Sequence, residues 1–155
     1  MVVTELENVT NLVPADDHFE YFFQVKCNSC HETHPNFVSV NRIEEREVSG
    51  GKGSSAHLVW RCKNCKREHS AKFEPLPPQP YTADHNGSFA PLITLDCRGL
   101  EPVSFDPRGI WKCEGVEKGT KFSEVDLSEG EWVDYDEKAA VPVSVMNIES
   151  QWARA

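Results

Sequence analysis

The 155-residue chain is short of cations: 16 Lys/Arg stand against 25 Asp/Glu, a formal net charge of −9. A protein that wraps a phosphate backbone needs a basic stripe, so nucleic-acid binding is not expected. Long apolar runs are also missing. No stretch approaches the roughly 20 residues a membrane helix requires. The start MVVTELENVT has neither the basic region nor the apolar core of a secretory signal, and it is too acidic for a mitochondrial transit peptide. The expected compartment is therefore reducing, cytoplasmic or also nuclear. Six cysteines there read as thiols or metal ligands rather than disulfides. There is no G-x-S-x-G, no H-E-x-x-H and no phosphate-binding glycine loop. The acidic string Asp134-Tyr135-Asp136-Glu137 reads as a solvated turn. Nothing positive points to an enzyme.

Helical periodicity is scarce as well. What recurs is short alternating runs broken by turn residues: EYFFQVKC, PNFVSVNRI, SAHLVWRC, SAKFEP, APLITLDC, VSFDP and VPVSVMNI. Such spacing predicts an all-β protein, sandwich- or barrel-like. The only helical pieces expected are short, for instance around Asp134 to Ala140. Gly50-Gly51-Lys52-Gly53-Ser54-Ser55 reads as a hairpin-like connection or exposed loop. Pro75-Leu76-Pro77-Pro78-Gln79-Pro80 reads as an extended linker, because its prolines cannot donate to a sheet ladder. The division places a zinc-binding β half at 1–80 and a metal-free β half at 81–155, the two forming one compact unit. Residues 1–80 carry 9 Lys/Arg against 11 Asp/Glu, and residues 81–155 carry 7 against 14, so the acidity lies in the second half.

The halves resemble each other. Phe22 to Cys27 parallels Pro91 to Cys97, and Val59-Trp60-Arg61-Cys62 parallels Glu131-Trp132-Val133-Asp134. A degenerate duplication is one reading; ordinary strand–turn–strand similarity is the other. Under duplication, Cys97-Arg98-Gly99-Leu100-Glu101-Pro102 stands at a lost metal turn, with Arg98 and Glu101 as a substitute ion pair, and Asp134 and Glu137 take the spacing of Cys62 and Cys65.

Cys27-Asn28-Ser29-Cys30-His31 fits three chemistries: c-type haem attachment, a dithiol redox site, or half of a zinc site. A second pair, Cys62-Lys63-Asn64-Cys65, follows after thirty-one residues. Two residues between thiols let a tight turn aim both sulfurs at one point, with Asn28 or Asn64 able to take left-handed geometry. Two such turns supply the tetrahedral thiolate shell that Zn²⁺ accepts. Haem needs an oxidising export route and leaves the second pair unexplained. A thioredoxin-type site needs a βαβ setting. The pattern thus predicts one Zn²⁺ per chain on Cys27, Cys30, Cys62 and Cys65. Four thiolates leave a surplus of negative charge, which Lys26, Arg61, Lys63, Lys66 and Arg67 are placed to offset. His31, His34, His57 and His69 lie near enough in sequence to hydrogen-bond a sulfur or replace one. Cys97 and Cys113 read as buried free thiols.

The two C-x-x-C pairs, with NVTNL (8–12), CRGLEPVSF (97–105), EGVEKGTKF (114–122) and EWVDYDEKA (131–139), resemble the eukaryotic CXXC-motif-containing zinc-binding protein family. The likeness spans residues 5 to 148. It implies a β-rich fold of two similar halves, zinc held at Cys27, Cys30, Cys62 and Cys65, and a cytosolic or nuclear protein with no established catalytic activity. The expectation is a monomeric, non-enzymatic module that binds an unidentified protein partner. The competing expectation is a metal-handling protein (zinc or copper transfer or sensing) or a thiol redox switch.

Overall fold

The structure, a computed structural model, describes residues 1–48 and 55–154. Of the glycine-rich connection expected at 50–55, residues 50–54 lie outside the described residues and Ser55 begins a short strand. The described chain is all β apart from a single 3-10 turn at Ala83–His85. Each sequence run that alternates apolar and polar residues contains a strand. The helix expected at 134–140 is absent: Tyr135 and Asp136 end a strand, and 137–140 form a turn. Acidic and aromatic residues there alternate with period two, which a helix would have scrambled.

Two sheets belong mainly to the first half. One places β3 (Tyr21–Cys27) between β4 (Val38–Val40) and β10 (Leu100–Asp106). The other places β8 (Glu68–Phe73) between β7 (Leu58–Arg61) and β9 (Leu95–Arg98). Two more belong mainly to the second half. β11 (Ile110–Gly115) lies between β12 (Lys121–Asp126) and β2 (Val9–Pro14), and β14 (Val141–Ser150) between β13 (Trp132–Asp136) and β1 (Val2–Glu7). A two-residue ladder joins β5 (Arg46–Glu47) to β6 (Ser55–Ala56).

The arrangement is an exchange of arms. The β1–β2 arm pairs with β14 and β11, and the β9–β10 arm pairs with β8 and β3. Each arm breaks between its strands at one residue of positive φ, Asn8 (57°) and Gly99 (83°). Each break also offers its carbonyl to the equivalent turn. Val116 N–H donates to Asn8 O at 3.0 Å, and Asn28 N–H donates to Gly99 O at 2.9 Å. The two halves are therefore similar in strand order as well as in strand content.

One core joins them. Phe23 and Val25 from β3, Trp111 from β11, Val143 and Val145 from β14, and Leu12 from β2 are all fully buried in the same cluster. At about 1.5–3 kcal/mol per large apolar side chain, this burial is the main source of cohesion. Strands β1 and β2 escaped the alternation reading because Thr4 occupies an inward position and Asn11 takes a positive φ of 57°.

Candidate metal centre

Each C-x-x-C pair begins where a core strand ends. Cys27 is the last residue of β3, and Cys62 follows β7; both are buried, so the strands fix two sulfurs from below. The chain then turns through the same pair of hydrogen bonds at both places. Cys27 N–H donates to Glu32 O and His31 N–H to Cys27 O; Cys62 N–H donates to Arg67 O and Lys66 N–H to Cys62 O, all within 2.8–2.9 Å. The left-handed residues that close the turns are His31 and Lys66, each at φ 64°, and not Asn28 or Asn64 as the sequence suggested. A non-glycine residue there is strained, and the two hydrogen bonds oppose that strain.

The turns face one another. Cys27 Sγ lies 3.6 Å from Cys65 Sγ, and Cys30 Sγ lies 3.6 Å from Cys62 Sγ. All four sulfurs fall within 4.8 Å of one another, and all six cysteines are free. Four sulfurs held about 2.3 Å from one tetrahedral centre stand roughly 3.8 Å apart, so the donor set fits a Zn²⁺-sized thiophilic ion. Cys27 and Cys62 form the buried side; Cys30 and Cys65 form the half-buried side.

Hydrogen bonds and burial set the acidity of these thiols. Burial pushes the Cys27 thiol up, but the N–H groups of Cys30 and Ser29 outweigh it and the net shift is downward. At Cys30 the Asn64 side chain leads, with the Glu32 N–H, and brings the thiol down to about 6. At Cys65 the Arg67 N–H favours the thiolate, yet burial and the other three sulfurs push it up to about 11. The groups acting on these sulfurs are thus N–H donors, where the sequence pointed to the charges of Lys26, Lys63 and Lys66. Arg61 braces the turn instead: its guanidinium donates to Lys66 O at 2.8 Å.

Of the four nearby histidines, the structure brings His69 to a sulfur. Its Nε2 lies 3.1 Å from Cys27 Sγ, at hydrogen-bonding distance, and in the tautomer protonated at Nε2 it donates to the sulfur. The ring packs so closely on Gly99 that a Cβ there would overlap Nδ1, and φ of 83° would strain any other residue as well. His57 is committed elsewhere, accepting from Phe73 N–H at Nδ1 and meeting Arg42 O with Nε2, each at 3.0 Å. His34 lies against the Trp60 ring, and His31 is the turn residue already described. Asn64, Gly99 and His69 were not separable by sequence, because their roles depend on strand register. Cys97 and Cys113 stand apart from the cluster, their thiols pushed up to about 11 and about 12, chiefly by burial.

The second half contains the same two turns without cysteine. Gly115 N–H donates to Thr120 O at 2.8 Å and Gly119 N–H to Gly115 O at 3.0 Å, with Gly119 at φ 66°. The other is 136–141, where Asp136 pairs with Val141 and Ala140 has φ 57°. Asp136 Oδ1 accepts from Lys138 N–H and Ala139 N–H at 3.1 and 3.2 Å, the two positions whose N–H groups act on Cys27 in its own turn. It also accepts from Thr120 Oγ1 at 2.8 Å, tying one turn to the other. Gly115 lies against Asp136 Oδ2, leaving no room for a Cβ. The equivalents of the cysteine turns are therefore 115–120 and 136–141. The assignments at 97–102 and Asp134/Glu137 are displaced, and Arg98 pairs with Asp96 at 3.7 Å rather than with Glu101. Sequence likeness had followed tryptophans and cysteines, whereas the shared feature is a backbone turn that tolerates several residue types.

Comparison with known proteins settles the lineage of this arrangement. The sequence profile described as CXXC motif containing zinc binding protein, eukaryotic, matches residues 1–153. The chain belongs to that family. The human CXXC motif containing zinc binding protein is 38% identical over 149 residues, covering 96% of this chain and 92% of the human one. A UPF0587 protein of Nematostella vectensis is 43% identical over the same share of each. The crystal structure of C1orf123, at 37% identity, superposes with a TM-score of 0.88 over 95% of this chain and 92% of its own. A hypothetical protein from Plasmodium falciparum, 23% identical, shares the fold with a TM-score of 0.83 over 96% of this chain and 93% of its own. Membership in a zinc-binding family and the four-sulfur cluster agree with each other, since the cluster is the group of potential metal ligands among the described residues.

Proposed function

We propose that this protein is a non-enzymatic protein-binding module whose fold is held by one Zn²⁺ per chain on Cys27, Cys30, Cys62 and Cys65. The convergence of four sulfurs from two turns separated by thirty-one residues carries the reading. The ion would join β3 and β7, which share no backbone ladder, and supply about 10–16 kcal/mol of apparent binding energy to folding. A shell of four thiolates has no open position for water or substrate, so it would serve structure rather than Lewis-acid chemistry. His69 would steady the Cys27 thiolate. The module acts as a monomer in the cytoplasm or the nucleus.

One observation favours a second reading. Cys30 and Cys65 form a half-buried side of the cluster, which gives an acceptor a way in. On that reading the protein passes on or senses zinc, or another thiophilic ion such as Cu(I), or releases it when the thiols oxidise.

A graded chelator competition separates the two, with bound zinc, native mass and far-ultraviolet circular dichroism followed together. The structural reading expects one zinc per chain, removed only by the strongest chelator, with the β spectrum lost as it leaves. Easy departure of zinc with the spectrum intact overturns it in favour of metal handling.

A further inference from the structure

The outer face of the β1–β14–β13 sheet combines apolar exposure with unbalanced negative charge. Residues directly opposite in antiparallel strands share a face. Val133 faces Ser144, which faces Glu7; Tyr135 faces Pro142; Met146 faces Glu5. Val133 is 67% exposed and Tyr135 51%. The patch continues past the strand ends, because Asn8 Nδ2 donates to Pro142 O at 2.8 Å while Asn8 O receives the N–H of Val116, itself 52% exposed. It therefore lies over the two metal-free turns.

The strands of this sheet carry charge of one sign, and the cations nearest in sequence, Lys118 and Lys138, sit in the turns at its end. The three strands VVTELE, WVDYD and VPVSVMNIES contain five carboxylates and no lysine, arginine or histidine. Ion pairs among the described residues join Arg42 to Asp17, Arg61 to Glu68, Lys72 to Glu45, Arg98 to Asp96, Arg108 to Asp106 and Lys121 to Glu114, none of them on β1, β13 or β14. Glu5 accepts from Asn147 Nδ2 at 2.8 Å, a neutral partner. A second copy of this chain, at net −9, would meet like charge, as would a nucleic acid or an anionic membrane. Apolar contact supplies affinity at such a surface, and carboxylates at its rim select the sign of the visitor.

We infer that this face docks a protein segment in which lysine or arginine side chains accompany aliphatic ones. The inference rests on the protein-binding reading above and names the partner's chemistry. The aliphatic groups cover Val133, Tyr135 and Pro142, while the cations reach Glu5 and Glu7.

The test uses the zinc-loaded full chain and an eight-residue peptide alternating lysine with valine, followed by amide chemical-shift mapping at physiological salt. Saturable shifts are expected at Val133, Tyr135, Ser144 and Glu7. A lysine–serine peptide of equal charge should bind at least tenfold more weakly. The double variant V133S/Y135S should weaken the lysine–valine peptide by a similar factor, with zinc content unchanged. Equal binding of the two peptides, or shifts scattered over distant carboxylates such as Asp16 and Glu44, overturns the inference by reducing it to generic charge. Saturable shifts confined to a different surface, the cleft lined by Pro91, Thr94, Asp96, Glu101, Pro102 and Trp152, overturn this site and leave the protein-binding reading standing. Loss of that reading would instead show in the chelator experiment, which does not involve this face.

Discussion

The cysteine turns of the first half and the carboxylate turns of the second have the same backbone and different closures. Cys27 and Asp136 each end a core strand, and each accepts from the N–H groups two and three residues on. In the first pair the atoms that must meet are four thiol sulfurs, which repel one another once ionised and so call for a cation. In the second, one buried carboxylate spans the gap, tying turn to turn through Thr120, and Gly115 stays bare to make room. The difference shows that the turn does not depend on metal. Strand ends and a residue of positive φ shape it, and the ion or the carboxylate decides only how two such turns are held together.

That comparison can be broken most forcefully at the metal. Cys62→Ser removes a buried ligand and should forfeit most of the roughly 10–16 kcal/mol that a structural zinc contributes. Zinc content should fall below one per chain. In hydrogen exchange the amides of β7 and β8 should lose protection before those of β11 and β14. Simultaneous loss would mean that the two halves open as one unit.

The next effect belongs to the carboxylate. Asp136→Ala takes hydrogen bonds from Thr120, Lys138 and Ala139, and bonds to charged groups are worth about 1.5–3 kcal/mol each. Asp136 Oδ2 is buried without a partner, which offsets part of the loss. A net destabilisation of about 2–4 kcal/mol is expected in urea unfolding, with zinc still bound. An unchanged midpoint would show that the second pair needs no closure at all.

The smallest effects separate two glycines. Gly115→Ala drives a Cβ against a carboxylate held on its other side and should cost about 1–3 kcal/mol. Gly119→Lys should stay within about 1 kcal/mol, since its side chain would meet nothing and Lys66 already takes the same conformation. If Gly119 proved the more sensitive, the equivalence of the turns would fail. Thermal unfolding of the two variants side by side decides it.

These particulars mark what could be read without a structure. The C-x-x-C spacing is local, so Cys27, Cys30, Cys62 and Cys65 stood out at once, as did the strands whose apolar residues alternate. The contact of His69 with Cys27 depends on where Glu68–Phe73 falls against Leu95–Arg98 and on how near Gly99 lets the chain come. No spacing rule reports that. The second pair of turns was hidden for another reason. Gly115, Lys118, Asp136 and Ala139 share no chemistry with cysteine, and the conformation they keep is carried by the backbone. The exchanged arms were equally invisible, because strand pairing across a hundred residues leaves little trace in local alternation.

The arm exchange also sets an order of events during synthesis. All four cysteines, and the strands that aim them, leave the ribosome before the β9–β10 arm arrives to complete their sheets. The first strand, Val2–Glu7, must wait for the last, Val141–Ser150. Pairing at such sequence separation is slow, because loop entropy is lost before contacts repay it. A metal ion captured early by the two turns would hold Tyr21–Cys27 near Leu58–Arg61 through that delay. The nascent chain would then carry its zinc well before it has a finished fold.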